Sequence, residues 1–343
     1  MSPTDELARR LREIAERLRD PDLPEQEAES LAREAADLVG RASAEIEAAL
    51  RDAKAGAYPD DLRALVDTYL TGLRFSAVDD TAGLEAAMRY SLLAGGKRIR
   101  PVLTLATARS LGKDPESVLP AAGAIELIHT YSLIHDDLPA MDDDELRRGR
   151  PTSHVVYGEN VAILAGDGLF AEAVRLFAEN QEGDEPAILA ALAELLAAIG
   201  VDGMVGGQYM DVTQTDLGPD DLRRLHGLKT GRLIAASVGV VLILGGLSEP
   251  ETIPYRRFAD ELGVLFQIVD DILDVTGSDE ELGKPHGSDE RHGKLTYVSL
   301  FGLERARELA GESHGNAHEA LAAVSGDPRD LSQITDFIYT RQS

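Results

Sequence analysis

The stretch His135-Asp136-Asp137-Leu138-Pro139-Ala140-Met141-Asp142-Asp143-Asp144-Glu145-Leu146-Arg147-Arg148 sets six acids within ten residues, directly before two arginines. Carboxylates at this density repel one another and are costly without a cation. Mg2+ takes oxygen ligands, uses one or two carboxylates from a protein, and completes its octahedron with water and substrate phosphate. Arginine presents a planar fork suited to bidentate phosphate recognition. Carboxylate, metal, phosphate and guanidinium can therefore stack in alternating charge. An acidic run standing alone is ordinarily a solvated surface loop, so other parts of the chain must decide between the two readings.

A second acid cluster argues for the metal. In Phe266-Gln267-Ile268-Val269-Asp270-Asp271-Ile272-Leu273-Asp274 the acids interrupt an apolar helical pattern. Asp270 and Asp274 are i and i+4, about 40° apart around a helix axis, and project to one face. Acids on an apolar face are costly unless paired or metallated. Two such segments can flank a cavity and hold Mg2+ ions on one diphosphate.

The basic residues are placed to match. The chain has only six lysines: Lys54, Lys97, Lys113, Lys229, Lys284 and Lys294. Coding bias or an acidic surface suited to a salty cytoplasm explains that scarcity but not the positions. Gly95-Gly96-Lys97-Arg98-Ile99-Arg100-Pro101 puts three cations after two glycines. Leu228-Lys229-Thr230-Gly231 puts a lysine beside a hydroxyl and a glycine inside a helical pattern, where a local break can turn carbonyls toward a cavity. Lys284 and Lys294 follow the second acid cluster, each after a glycine. Neither segment is a nucleotide-binding P-loop, because five residues separate its glycines and no Ser or Thr follows the lysine. The first cluster also fails the EF-hand pattern, having no central glycine. His129 lies two turns before Asp136 and shares its helix face. Gln208, in Gly206-Gly207-Gln208, can hydrogen-bond a metal ligand or water. His135 and His154 read as structural.

These residues must be positioned by helices. Residues 1–57 predict two, near 4–19 and 25–54, forming a hairpin without plausible chemistry. From residue 60 the apolar spacing predicts helices near 60–74, 80–94, 99–110, 115–137, 153–180, 185–210, 219–228, 230–246, 254–275, 293–312, 314–323 and 328–340. Pro- and Gly-containing loops separate them, and no period-2 strand is evident. The expected fold is all-α, a bundle around a central cavity. A hydrophobic content of 43% with only 5% aromatics implies a core of Ala, Leu, Val and Ile. The run Leu233–Leu247 is short of a bilayer span and reads as buried core. With a net charge of −27 and no cysteine, nucleic acid, disulfides and thiolate metal sites are excluded. No signal-peptide pattern opens the chain.

In order along the chain, GGKRIRP, DDLPAMDDDELRRGRP, GGQ, LKTG, FQIVDDILD, LGK and GKLTY resemble the motif set of the trans-prenyl diphosphate synthases. The resemblance covers roughly 60–343 and leaves 1–57 outside it as an N-terminal extension beside a catalytic domain of 58–343. It implies an isoprenoid-synthase-type helical bundle in a cytoplasmic homodimer. The implied chemistry is Mg2+-dependent condensation of isopentenyl diphosphate with an allylic diphosphate. Asp136, Asp142 and Asp270 would hold three Mg2+ ions, supported by Asp137, Asp271 and Asp274. Lys97, Arg100, His129 and Arg148 would hold isopentenyl diphosphate. Arg147, Lys229, Lys284 and Lys294 would hold the allylic diphosphate. Lys229, Thr230 and Gln267 would face the reacting carbons. Tyr131 and Ser132, five and four residues before Asp136, would set product length. An aromatic at Tyr131 with the long first motif points to a C15 product, with C20 the alternative. A terpene cyclase is disfavoured by Lys97, Arg100 and His129, and a non-catalytic subunit by two intact acid motifs.

Overall fold

The computed structural model describes residues 58–213, 218–277 and 294–341, together with Ile14, Arg17, Leu31 and Ala35. The chain divides into two compact units, 1–57 and 58–343. The four described residues of the first are helical. The rest of the expected hairpin and Lys284 lie outside the described residues.

The second unit is built from helices, in the order α1 (Asp60–Gly72), α2 (Ala82–Leu92), α3 (Ile99–Ser110), α4 (Leu119–Asp136), α5 (Ser153–Tyr157), α6 (Glu159–Asn180), α7 (Glu185–Ile199), α8 (Met204–Thr213), α9 (Pro219–His226), α10 (Arg232–Leu244), α11 (Glu249–Thr276), α12 (Tyr297–Phe301), α13 (Leu303–Leu321) and α14 (Arg329–Thr340). Three of them are buried nearly all round: α3, the first half of α4, and α10 from Leu233 to Leu242. A helix apolar on every side belongs at the centre of a large helical domain. These three contact one another, while α6 packs on α4, α7 on α10, and α13 on α11. Most of their buried hydroxyls bond back to carbonyls four residues earlier, as Thr104 to Arg100, Thr107 to Leu103 and Ser237 to Leu233, and so need no polar partner from a neighbouring helix. Ser110 instead pairs with the Tyr255 hydroxyl of α11 at 3.0 Å.

Several expected boundaries shift for local reasons. The helix expected over 153–180 is two, divided at Gly158, whose φ is +85°. That over 185–210 turns at Gly200–Gly203. The break near 313 falls instead at Gly302, φ +79°. Ser248 and Glu251 form a capping box that starts α11 at Glu249, so Pro254 falls inside its first turns. Between α9 and α10 the helix does not stop. Gly227–Gly231 forms a single π-helical turn, and Pro219–Leu244 becomes one 26-residue run. By length and apolarity alone this run, Pro115–Asp136 and Glu185–Thr213 could each cross a membrane.

The strand-free expectation fails at one place. Leu146–Arg147 and Arg150–Pro151 pair antiparallel, joined by Arg148 and Gly149. Both loop residues have positive φ, 54° and 71°, the requirement of a type I′ turn. The alternation is too short to leave a periodic signal in the sequence.

Candidate active site

A cavity of about 1470 Å³ opens among α3, α4, α6, α8, the π turn, α11 and the end of α14. Asp136, at the C-terminus of α4, lines it. The chain then doubles back: the Asp142 N–H bonds the Asp136 carbonyl at 2.9 Å, and the Asp143 N–H bonds the Leu138 carbonyl at 3.1 Å. Asp143 takes φ +52° to make this turn. Six positions apart in sequence, Asp136 and Asp142 thus stand together, which helical spacing would not allow.

A chain of alternating charge runs to Lys229 in the cavity lining. Lys294 Nζ lies 2.8 Å from Asp142 Oδ2 and 3.7 Å from Asp211 Oδ2, and Lys229 Nζ lies 2.6 Å from the same Asp211 oxygen. Burial pushes the Asp136 carboxyl above its ordinary range; Lys229 opposes the shift and Asp142 adds to it. Two acids and two lysines that sequence reading assigned to metal and diphosphate are therefore brought together. Asp211, which that reading left out, connects the lysines. Its only sequence signal is a place one turn after Gln208.

The π turn presents Lys229 and Thr230 to the cavity. It needs close support: a Cβ at Gly207 would fall 2.3 Å from the Lys229 nitrogen, so only glycine lets α8 pack there. A π turn shifts the i→i−4 pattern locally and is common at functional sites. Gln208 also lines the cavity, and its buried Nε2 has no hydrogen-bond partner among the described residues.

On the opposite wall, α11 carries the second acid cluster. Asp270 lines the cavity and its side chain is 56% exposed. Asp271 is buried and engaged on both oxygens, by Gln267 Nε2 at 2.8 Å and the Tyr297 N–H at 2.7 Å. It orients Gln267, which does face the cavity. Asp274 is buried and lies off the cavity lining. The two-acid face read from i, i+4 spacing thus delivers Asp270 alone to the open space.

The remaining basic residues gather at the other end. Arg147 Nε binds both carboxylate oxygens of Asp137, at 2.7 and 2.9 Å. Asp137 thereby holds Arg147 against the cavity rather than facing it. The hairpin turn swings Arg148 back so that its Nη1 donates to the Gly95 carbonyl. At Gly96, φ +118°, a Cβ would meet the Arg148 guanidinium at 2.7 Å. Arg98, with φ +52°, is buried and spends its guanidinium on Glu126 at 2.7 Å and Asp67 at 3.0 Å. Of the three cations after the glycines, one is an anchor for the loop. Among the described residues the only non-glycine positive φ angles are at Arg98, Asp143 and Arg148, all in the two site loops, where such strain tends to gather.

Lys97 and Arg100 do reach the cavity. Burial, helped by Arg341, lowers the Lys97 pKa to about 8, while Asp270 opposes the shift. Burial lowers Arg100 to about 10. His129 stands 3.4 Å from Arg100 Nη1 through Nε2. Arginine only donates, so His129 Nε2 accepts and the ring proton sits on Nδ1. Burial and the nearby guanidinium hold His129 well below its ordinary pKa, so it faces the cavity as a neutral ring. Arg341, which sequence reading missed, enters from the end of α14. It lies 4.0 Å from Asp270 and over the Phe266 ring.

Away from the acids the lining is apolar: Leu133, Ile163, Met204, Val205 and Val212. Tyr131 stands on this side, edge-on to His135 and Phe170 with centroids 5.8 and 5.5 Å apart. Ser132 lines the cavity too and donates to the His129 carbonyl. His135 lines the cavity and bonds the Ile163 carbonyl, and His154 bonds Thr152.

Residues 81–334 match the polyprenyl synthetase family. The chain is 46% identical over 268 residues to a farnesyl diphosphate synthase of Geobacillus stearothermophilus, covering 77% of this chain and 90% of that one. It is also 46% identical over 266 residues to geranylgeranyl pyrophosphate synthase 7 of Arabidopsis thaliana, covering 76% and 77%. A geranyltransferase from Helicobacter pylori, solved with magnesium and isoprenyl diphosphate, superposes with a TM-score of 0.71 at 33% identity, covering 81% of this chain and 92% of that one. With the two acid clusters facing one cavity, these likenesses establish that the chain belongs to the polyprenyl synthetase family and is a short-chain trans-prenyltransferase.

Proposed function

We propose that the enzyme joins isopentenyl diphosphate to dimethylallyl and then geranyl diphosphate and stops at farnesyl diphosphate. Tyr131 carries the C15 assignment, because its ring is braced by His135 and Phe170 on the apolar side of the cavity, upstream of Asp136 on the same helix. A C20 product is the second reading, favoured by the geranylgeranyl synthase names among the relatives.

The residues present fit Mg2+. Asp136, Asp142 and Asp270 offer hard oxygen donors, Asp136 is desolvated beside Asp142, and the partnerless Gln208 amide stands nearby in the lining. In this reading Asp136, Asp142 and Asp270 hold three ions. When bound, Mg2+ neutralises charge on the leaving diphosphate. Lys229, Lys294 and Arg147 move from their carboxylate partners toward that diphosphate. The allylic C–O bond breaks. The Lys229 carbonyl, the Thr230 hydroxyl and Gln267 stabilise the allylic cation, and the apolar wall keeps water from it. Lys97, Arg100, His129 and Arg148 hold isopentenyl diphosphate with its double bond against the cation. A carbon–carbon bond forms, and the proton lost passes to the released diphosphate.

Incubating purified protein with dimethylallyl and isopentenyl diphosphates and Mg2+ tests this directly. Farnesyl diphosphate is expected; absent elongation sinks the reaction, and a dominant C20 product sinks the chain length. Asp270→Ala should cut turnover by roughly 100-fold or more while changing stability by less than about 0.5 kcal/mol, because the side chain is exposed. A parallel loss of stability means Asp270 is structural.

The same reading extends to a homodimer in the cytoplasm and to an appended unit at 1–57. Support for the dimer is the exposed apolar side chains of α6, α7 and the turn after it, Leu164, Leu189, Leu196 and Val201. Light scattering of the purified protein at one subunit mass would refute it.

A further inference from the structure

Outside the cavity lining, His314 and His318 stand one turn apart on α13 and face Asp336 of α14. His314 Nε2 lies 2.8 Å and His318 Nε2 2.9 Å from the same oxygen, Asp336 Oδ1. All three ligand atoms fall within 4.8 Å of one another. The side chains are 24%, 34% and 22% exposed, open enough for an ion to enter and buried enough to be held. The His314 ring is also stacked on Tyr339, with centroids 4.3 Å apart and planes at 24°, which fixes its orientation before any ligand arrives.

The geometry points to a second metal site here, for a divalent transition ion of the Zn2+ class. Two imidazoles and one carboxylate suit Zn2+, Co2+ or Ni2+, whereas Mg2+ prefers all-oxygen surroundings. Around a tetrahedral Zn2+, with metal–ligand distances of about 2.0–2.2 Å, neighbouring ligand atoms are roughly 3.3 Å apart. The two histidine–Asp336 separations, 2.8 and 2.9 Å, need to open by only about half an ångström to reach this. Water fills the fourth position. The i, i+4 spacing on α13 delivers both rings to one face, and α14 supplies the carboxylate. The ion therefore fastens α14 to α13. That matters beyond the site, because α14 places Phe337 beneath the Lys97 ammonium, 4.9 Å to the ring centroid, and sends Arg341 toward Asp270.

The test uses the full-length protein stripped by a chelator, with no diphosphate and with Mg2+ in excess to compete for the acid clusters. Zn2+ alone is the probe, and uptake is measured by equilibrium dialysis. One Zn2+ per chain is expected at a free concentration of roughly 10 μM or below. His314→Ala with His318→Ala should weaken that binding by about 100-fold or more, since losing even an outer partner of a ligand costs about 10- to 100-fold. Equal uptake by wild type and the double variant overturns the proposal, because the ion is then at the acid clusters. So does the absence of uptake by wild type. A measurement on unaltered protein guards against misfolding of the variant: Zn2+ should shift the imidazole resonances of His314 and His318 among the eight histidines. Unshifted resonances at saturating Zn2+ also overturn it.

Discussion

Replacing Tyr131 by alanine tests the product-length assignment most sharply. Tyr131 lies five residues before Asp136 on α4, about 7.5 Å of helix rise from the acid cluster. For a fourth five-carbon unit to enter, its ring must leave two edge-to-face contacts, with His135 and Phe170. Such contacts are each worth about 0.5–1.5 kcal/mol beyond area burial. Removing the ring lowers the barrier to further elongation by about 1–3 kcal/mol, or roughly 5- to 150-fold in rate. The truncation opens into an existing cavity, so it should destabilise the fold by less than the roughly 3–5 kcal/mol typical of an enclosed aromatic. The assay is a steady-state incubation in which products are dephosphorylated and separated by chain length. The ratio of C20 to C15 product should rise by one to two orders of magnitude. Phe170→Ala, which removes the support behind Tyr131, should move the ratio the same way by less. A Tyr131→Ala enzyme that keeps its turnover and its product ratio refutes the assignment.

The ion pairs and the titrating groups give two further expected outcomes. Glu126→Ala leaves the Arg98 guanidinium, 2% exposed, with only the half-exposed Asp67 as its ionic partner. Orphaning a buried charge costs about 3–5 kcal/mol, so a denaturant midpoint should report a loss near 3 kcal/mol; a loss under about 1 kcal/mol means the pair is not buried in solution. Lys97 is the second case. Its pKa is lowered to about 8, so the free enzyme holds the charge below that pH and loses it above. kcat/KM for isopentenyl diphosphate should therefore fall as pH rises through about 8, while kcat/KM for the allylic substrate shows no break there. Lys97→Arg should remove the break, and a break that survives belongs to another group.

Helices were readable because a helix buries its stripe at a fixed period, whatever it later packs against. The interruptions were less readable. Gly158 and Gly302 end helices because their φ angles are positive, while Gly123 and Gly166 sit inside helices without effect. The residue type is the same, and the backbone angle is set by how the segments on either side pack. The first acid motif was legible as a ligand cluster, yet its parts diverge. Asp136 faces the cavity, Asp137 turns to Arg147, and Asp142 reaches Lys294 across 152 positions of sequence.

Residue chemistry and order alone therefore determined the helical class, the two acid clusters, the sparing use of lysine and the kinship to prenyl diphosphate synthases. Those properties depend on local spacing, which survives in a string of letters. Tertiary structure alone decided that Arg98 anchors a loop while Lys97 and Arg100 flank a cavity. It also decided that Asp211 joins Lys229 to Lys294, that Arg341 arrives from the far end of the chain, and that Arg148 is aimed by a two-residue turn. Each of these depends on where helices distant in sequence cross. Crossing is set by the fit of whole side-chain surfaces, to which no single spacing in the sequence corresponds.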